Sequence, residues 1–365
     1  MFYLICILTG MVLLLALPLL GVLLDGRDIA PYLEFPPLTR YVPHAGFSLP
    51  VFLMLSLVFL GVGFLLIQFF RKAKPPISLS PSPHPFPWWG WMGGGIILWG
   101  WILAWNRFPW AAPVQHHTFL PLWLGYILVV NALCLKRSAS SLLTDAPGRF
   151  CLLFPASSLF WWFFEYLNRF VQNWYYLDVA HFSPGEYVLF ATLSFSTVLP
   201  AVLSTARLLL TFPAFEGLTL SPVRIRSPRK LSAVILSCSG TGLFLLGRFP
   251  DQLFPLVWLS PLLLVSSIQM LLGRRTIFSP LARGDYRLLL SSAMGALVCG
   301  FFWEMWNSGS LAKWEYGIPY VHRFLVFEMP ILGYLGYLPF GLECGLIGAA
   351  GMDLLPPRAS ESPVH

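Results

Sequence analysis

Residues 49–70 read LPVFLMLSLVFLGVGFLLIQFF and carry no charged side chain. A helix of this length rises about 33 Å at 1.5 Å per residue, which is enough to cross the roughly 30 Å of hydrocarbon in a bilayer. The segment therefore predicts a transmembrane helix.

Apolar runs of this kind recur along the whole chain, separated by charged or proline-rich breaks. The ten candidate spans lie at residues 3–24, 49–70, 89–105, 118–135, 150–167, 188–211, 231–249, 254–272, 288–306 and 329–350. The last span carries Pro330 and Pro339, so we expect it to be kinked or broken. The fold predicted is all-α, a polytopic helical membrane bundle of about ten transmembrane helices.

The composition agrees with lipid as the solvent of this chain. Of its 365 residues 57% are hydrophobic and 11% are charged, whereas a soluble domain carries roughly 25% charged residues. The net charge of +7 comes from basic residues in short loops, which is typical of topology signals and not of nucleic-acid binding. The six cysteines include no CxxC pair, which argues against a disulfide framework or a zinc site.

The distribution of lysine and arginine predicts the orientation. If the N-terminus is cytoplasmic, sixteen of the 23 basic residues fall on the cytoplasmic side and seven on the other. Positive charge is enriched on the cytoplasmic side of membrane proteins, so both termini are predicted to be cytoplasmic, in a bacterial inner membrane. The first run, Tyr3 to Leu24, lacks the basic start of a signal peptide and is interpreted as a retained span.

The chain divides into four predicted segments. Residues 1–74 hold two N-terminal helices, residues 75–87 form a proline- and serine-rich cytoplasmic linker, residues 88–355 form an eight-helix membrane domain, and residues 356–365 form a cytoplasmic tail.

An internal repeat is predicted within the membrane domain, with copies near residues 150–211 and 288–350. FWWFFEYLNRFVQNWYY (160–176) resembles GFFWEMWNSGSLAKWEY (300–316). The matched positions are Glu165 with Glu304, Asn168 with Asn307, Trp174 with Trp314, and Tyr176 with Tyr316.

The spacing within each copy suggests a function. Residues three apart share a helix face, so each asparagine lies beside its glutamate and can donate to the carboxylate or to a ligand carbonyl. A carboxylate at the edge of the hydrocarbon is costly unless it is neutral, paired or hydrated, which suits a general acid or proton carrier. A structural cap or ion pair near the interface, for instance with Arg169 or Lys313, is the alternative.

Two more acids occur in FEMPILGYLGYLPFGLE (327–343). Glu328 precedes Pro330 at the predicted outer mouth of the last span, and Glu343 lies deeper, where it must face protein or water. The candidate catalytic residues are therefore Glu165, Glu304, Glu328 and Glu343. The candidate ligand-binding residues are Asn168, Trp174, Tyr176, Asn307, Trp314 and Tyr316.

No cofactor or metal is predicted. A site built from His181, His322 and a glutamate has no HxxxH or HxxE spacing to support it. Tryptophan beside two carboxylates suits an organic cation or a carbocation.

These motifs resemble a set of uncharacterised bacterial multi-span membrane proteins, and more distantly the lycopene cyclase domain of carotenoid-forming bacteria. The latter resemblance implies helical repeats in which acidic residues accompany W-x-Y segments. The proline-then-paired-acid motif of that family is absent, since PFGLEC has one acid and a different spacing.

Three functions are compatible with the sequence. The first is binding or modification of a lipophilic, isoprenoid-like molecule by carboxylates near the external face. The alternatives are a secondary transporter or proton-coupled carrier that uses Glu343, and a non-catalytic assembly subunit. The partners expected are membrane lipid and a lipophilic small molecule, with no nucleic acid.

Overall fold

The computed structural model describes residues 2–37, 39–73 and 84–351, and over these ranges the protein is mostly α-helical. The first eight helices are α1 (Phe2–Leu24), α2 (Ala30–Leu33), α3 (Leu49–Lys72), α4 (Trp88–Trp105), α5 (Phe119–Ser138), α6 (Leu142–Asp145), α7 (Pro147–Val171) and α8 (Pro184–Phe195). The others are α9 (Val198–Leu209), α10 (Pro213–Glu216), α11 (Pro228–Leu245), α12 (Pro250–Leu253), α13 (Leu256–Leu271), α14 (Arg287–Gly309) and α15 (Tyr337–Gly351). The strands are β1 (Trp174–Leu177), β2 (Lys313–Tyr316), β3 (Leu325–Val326) and β4 (Met329–Pro330).

Each predicted span coincides with one or two of these helices. Seven helical segments within the described ranges are long and apolar enough to cross a membrane. They are Ile5–Leu24, Leu49–Lys72, Phe119–Ser138, Pro147–Val171, Pro184–Leu209, Arg287–Gly309 and Ile331–Ala349. The other three predicted spans coincide with α4, α11 and α13, of which α13 is a shorter apolar helix. The helical membrane character is thus confirmed, while the number of ten spans stays a prediction.

The last predicted span is irregular near its two prolines, where it changes from a 3-10 to an α-helix. A 3-10 turn at Ile331–Gly336 precedes α15, which begins at Tyr337. Pro339 lies in the first turn of α15, where a missing backbone N–H costs no helical hydrogen bond.

Helix α9 lies at the centre of the bundle. Every residue from Val198 to Arg207 is buried, and the helix packs against α5, α7, α14 and α15. Helices that pack in lipid gain little from hydrophobic burial and depend on close contact between small residues. Gly295 of α14 provides such a contact, because a Cβ there would lie 3.0 Å from the backbone nitrogen of Ala206.

The two N-terminal helices pack on later parts of the chain. Helix α1 packs against α11 and α13, whereas α3 has no buried residue and contacts the Ile331–Gly336 turn. Most of the predicted linker, residues 75–83, lies outside the described residues, as does the predicted tail at residues 356–365.

Strands β1 and β2 follow α7 and α14 and pair antiparallel across one end of the bundle, which we call the strand end. Trp174 lies opposite Tyr316, and Tyr176 lies opposite Trp314. Because side chains alternate along a strand and opposite residues share a face, these four aromatic side chains lie on one face of the sheet. Tyr175 and Glu315 lie on the other face.

Candidate functional site

Glu165 is fully buried on α7 and accepts three hydrogen bonds. Trp161 Nε1 donates at 3.0 Å, Trp174 Nε1 at 3.0 Å and the Tyr176 hydroxyl at 2.6 Å, all to Oε1. Trp161 is one helical turn before Glu165, and β1 brings the other two donors back over the end of the helix. The second oxygen, Oε2, has no partner among the described residues.

Glu304 has a similar environment on α14 and is also fully buried. The hydroxyls of Tyr316 and Tyr337 donate to its Oε1 at 2.7 Å and 2.5 Å. Trp314 Nε1 donates to the Tyr316 hydroxyl at 2.7 Å, which extends the chain of hydrogen bonds by one group. Glu304 Oε2 likewise has no partner within the described part of the chain.

One donor differs between the two glutamates. Four residues before Glu304 stands Gly300, where α7 has Trp161. A Cβ at Gly300 would lie 2.5 Å from ring atoms of Tyr337, so the glycine leaves the space that the tyrosine ring occupies. A tyrosine from α15 thus replaces the tryptophan that α7 provides itself.

The strand tyrosines remain hydrogen-bond donors over a wide pH range. Burial, followed by the neighbouring Glu165, raises the pKa of Tyr176 well above its usual value. Burial and Glu304 do the same for the pKa of Tyr316. Both hydroxyls therefore keep their protons at neutral pH and can donate them to an acceptor.

Both motif asparagines bind the backbone of a strand. Asn168 Nδ2 donates to the carbonyl of Trp174 at 2.8 Å, and its Oδ1 accepts from the backbone N–H of Asn173 at 2.8 Å. Asn307 Nδ2 donates to the carbonyl of Trp314 at 2.7 Å, and its Oδ1 accepts from the N–H of that residue at 2.9 Å. Each amide therefore holds its strand against the end of the preceding helix.

A cavity of about 960 Å³ begins at the strand end and extends along the bundle, since Leu289 and Leu290 in the first turn of α14 also line it. The side chains that bond to the glutamates, directly or, for Trp314, through Tyr316, line it: Trp161, Trp174, Tyr176, Trp314, Tyr316 and Tyr337. The glutamates are not among the described residues that line the cavity, and they lie behind this aromatic layer. No described lysine, arginine, aspartate or glutamate lines the cavity, whose wall is mostly aliphatic and aromatic.

Asn173 is the most deeply buried amide in the cavity wall. Its side chain is 1% exposed, and its Nδ2 donates to the carbonyl of Gly317 at 3.2 Å. Its Oδ1 is buried and has no partner among the described residues.

Glu328 lies on the opposite face of the β1–β2 sheet. Its Oε1 accepts from Lys313 Nζ at 2.7 Å, and the same lysine lies 3.1 Å from Glu315 Oε1. Glu328, Glu315, His44 and other polar residues line a second pocket of about 350 Å³. The structure therefore separates Glu328 from the cavity that the motif residues surround.

Glu343 is buried on α15, apart from the other acids. Its Oε1 accepts from the backbone N–H of Leu262 at 3.3 Å, and its Oε2 has no partner among the described residues. Leu262 directly follows Pro261, which interrupts the hydrogen-bond ladder of α13. Glu343 thus supplies an acceptor at a disturbed point in a neighbouring helix.

The eight residues of the two motifs are therefore gathered at the strand end, whereas Glu328 lies on the other face of the sheet and Glu343 lies on α15. Sequence reasoning missed Trp161, Tyr337 and Asn173. Trp161 has a local signal, because it lies on the helix face of Glu165 within the first motif. No local signal links Tyr337 to Glu304, since the two are 33 residues apart.

Within the described ranges, no three or more histidines, cysteines, aspartates and glutamates are arranged to hold a metal ion. His181 packs on His116, with ring centroids 4.4 Å apart, whereas His322 lines the second pocket.

No family model, no curated protein and no solved structure matches this chain.

Proposed function

We propose that this protein binds a lipophilic, isoprenoid-like molecule in the strand-end cavity, where Glu165 and Glu304 supply acid–base chemistry through the tyrosines beside them. The observation that carries the proposal is the cavity itself, whose wall is built from the hydrogen-bond donors of both glutamates. If the glutamates had only a structural role, their hydrogen-bond donors would not have to line a cavity of this volume.

The volume and polarity of the cavity support a lipophilic ligand. Its 960 Å³ lie near the upper end of the range of about 300–1,000 Å³ that is usual for ligand sites. An apolar chain loses no hydrogen bonds on entering such a wall, whereas an ionic group would lose its hydration.

The hydrogen-bond chains support proton transfer. Each of the tyrosine hydroxyls donates to a glutamate oxygen, so it can give its own proton to the carboxylate while it takes a proton from the ligand, and the pair moves one proton without a free charge on the tyrosine. Tyr176, Tyr316 and Tyr337 each join a glutamate to the cavity in this way. A cation formed on the ligand would face the tryptophan rings of the wall, which stabilise positive charge.

We also propose that the two motifs are copies of an internal repeat. The pairing of β1 with β2 is symmetric, because the tryptophan of each motif lies opposite the tyrosine of the other motif. Such a register supports an approximate twofold axis between β1 and β2, as expected for parallel repeats in a membrane.

The carrier hypothesis has less support. It assigns the central role to Glu343, which accepts a backbone hydrogen bond from α13 and is not among the described residues lining the cavity.

Filling the cavity should remove the ligand. We expect Ala191→Phe and Ala293→Phe, both in the cavity wall, to lower the amount of lipophilic molecule that copurifies with the protein by about tenfold, which corresponds to about 1.4 kcal/mol. Mass spectrometry of solvent extracts from purified protein measures this amount. Leu159→Phe is the matched control, because Leu159 is 69% exposed on α7. Equal amounts of bound molecule in all variants would contradict a ligand in this cavity.

The strand end is proposed to face away from the cytoplasm, on the basis of the charge distribution in the sequence. A single cysteine at Ala180, after β1, should react in intact cells with a maleimide that cannot cross the inner membrane. A cysteine at exposed Val223, between α10 and α11, should react only after the cells are opened. The reverse pattern would invert the orientation.

A further inference from the structure

Three histidines from two separate loops meet at the wall of the cavity, and we call them the histidine rim: His116, His117 and His181. His116 and His117 lie in the 3-10 turn that precedes α5, and His181 lies in the loop between β1 and α8. The rings of His116 and His181 are 4.4 Å apart, and His117 lies 4.1 Å from the ring of Phe190. His116 and His117 both line the cavity.

These imidazoles are free to bind a ligand. None of the three makes a side-chain hydrogen bond to another residue in the part of the chain that the structure describes. Every neutral imidazole has one N–H donor, and a protonated one has two. His116 and His117 are also the only described residues of the cavity wall that can become positively charged near neutral pH.

Burial and the neighbouring charges favour the neutral imidazoles of His116 and His117 while the site is empty. Burial, followed by His181 and His117, lowers the pKa of His116, and Arg107 lowers it further, while Asp178 raises it. Burial and His181 lower the pKa of His117. An anion would reverse this balance, because a negative charge beside an imidazole favours its protonated form.

We propose that the histidine rim binds the anionic phosphate headgroup of a lipid whose hydrocarbon chain fills the cavity. The inference rests on the proposed function and names the class of ligand, an amphiphile with a phosphate at one end. The buried glutamates do not oppose this assignment, because the aromatic layer separates them from the cavity and the rim is built from other loops.

Matched probes separate the headgroup from the chain. Dioctyl phosphate carries one negative charge at any pH near neutrality, and its methyl ester has the same chains without the charge. We expect the His116→Gln/His117→Gln double variant to bind dioctyl phosphate about tenfold more weakly than the parent protein and the methyl ester equally well. The change in tryptophan fluorescence on titration with each probe in detergent micelles measures both affinities.

The pH dependence of the parent protein gives a second readout that needs no variant. Since binding of the anion raises the pKa of the imidazoles, it takes up protons, and the affinity for dioctyl phosphate should rise as the pH falls from about 8 to about 6. The methyl ester should show no such trend.

His322→Gln is the matched control, because His322 lies at the same end of the bundle but lines the second pocket. It should leave both affinities unchanged. Equal affinities of the parent protein for the two probes would overturn the headgroup assignment and leave the proposed lipophilic site intact, whereas failure of both probes to bind would overturn the proposed function as well. Tight binding of dimethyl phosphate, which has the headgroup alone, would assign the rim to a free anion and not to a lipid.

Discussion

Glu165→Leu should lower the free energy of unfolding by about 3 kcal/mol or more. The substitution removes the acceptor Oε1 of Glu165 from three donors. These are the indole N–H groups of Trp161 and Trp174 and the hydroxyl of Tyr176. A buried donor left without its acceptor costs about 1–3 kcal/mol. Glu165→Gln keeps Oε1 as an acceptor and should lose much less, since only the free Oε2 position changes.

Equilibrium unfolding in mixed micelles, followed by circular dichroism, measures both values. Glu216→Leu is the control, because Glu216 is an exposed acid. If the leucine and glutamine variants of Glu165 were equally stable, the three hydrogen bonds would contribute nothing to the fold. If glutamine preserved stability but abolished turnover of an identified ligand, the carboxyl group would have a chemical role beyond accepting these bonds.

Asn307→Leu is expected to lower the free energy of unfolding by about 2 kcal/mol or more and to weaken ligand binding. The substitution leaves both the N–H and the carbonyl of Trp314 without the amide that binds them, at about 1–3 kcal/mol for each group. Trp314 lines the cavity, so a shift of β2 changes the shape of the wall.

The experiment distinguishes this positioning role from the direct ligand contact that the sequence predicts for Asn307. Positioning predicts that stability and affinity fall together, whereas a contact made only with the ligand predicts lost affinity at unchanged stability. Thermal unfolding with and without the bound molecule measures both. Asn106→Leu is the control, because its amide is exposed and bonds only within the end of α4.

The sequence predicted the elements of this fold well because hydropathy and proline are local signals. A run of about twenty apolar residues forms a helix in lipid whatever its neighbours are, since its backbone must be satisfied internally. An irregular last span was predicted for a similar reason, because proline disfavours a continuous helix through its own geometry, and a 3-10 turn there precedes α15.

The hydrogen-bond partners of the motif asparagines could not be predicted from the local sequence. Their spacing placed Asn168 and Asn307 on the faces of Glu165 and Glu304, which left the carboxylate and a ligand as the expected partners. The structure has each amide on the backbone of the strand that follows its helix. The helical period sets the face of a side chain but not which acceptor lies nearest, and here the chain returns across the end of the helix.

What the sequence determined by itself is the helical membrane character and the presence of two similar motifs, each with a glutamate followed three residues later by an asparagine. Tertiary structure alone decided which groups surround each acid and what they enclose. Tyr337 reaches Glu304 from another helix, and His116 meets His181 from another loop. Side chains far apart in sequence meet only when helices pack. A buried acid forms hydrogen bonds with donors of neighbouring elements, because an unpaired polar group has no water to bind in the interior.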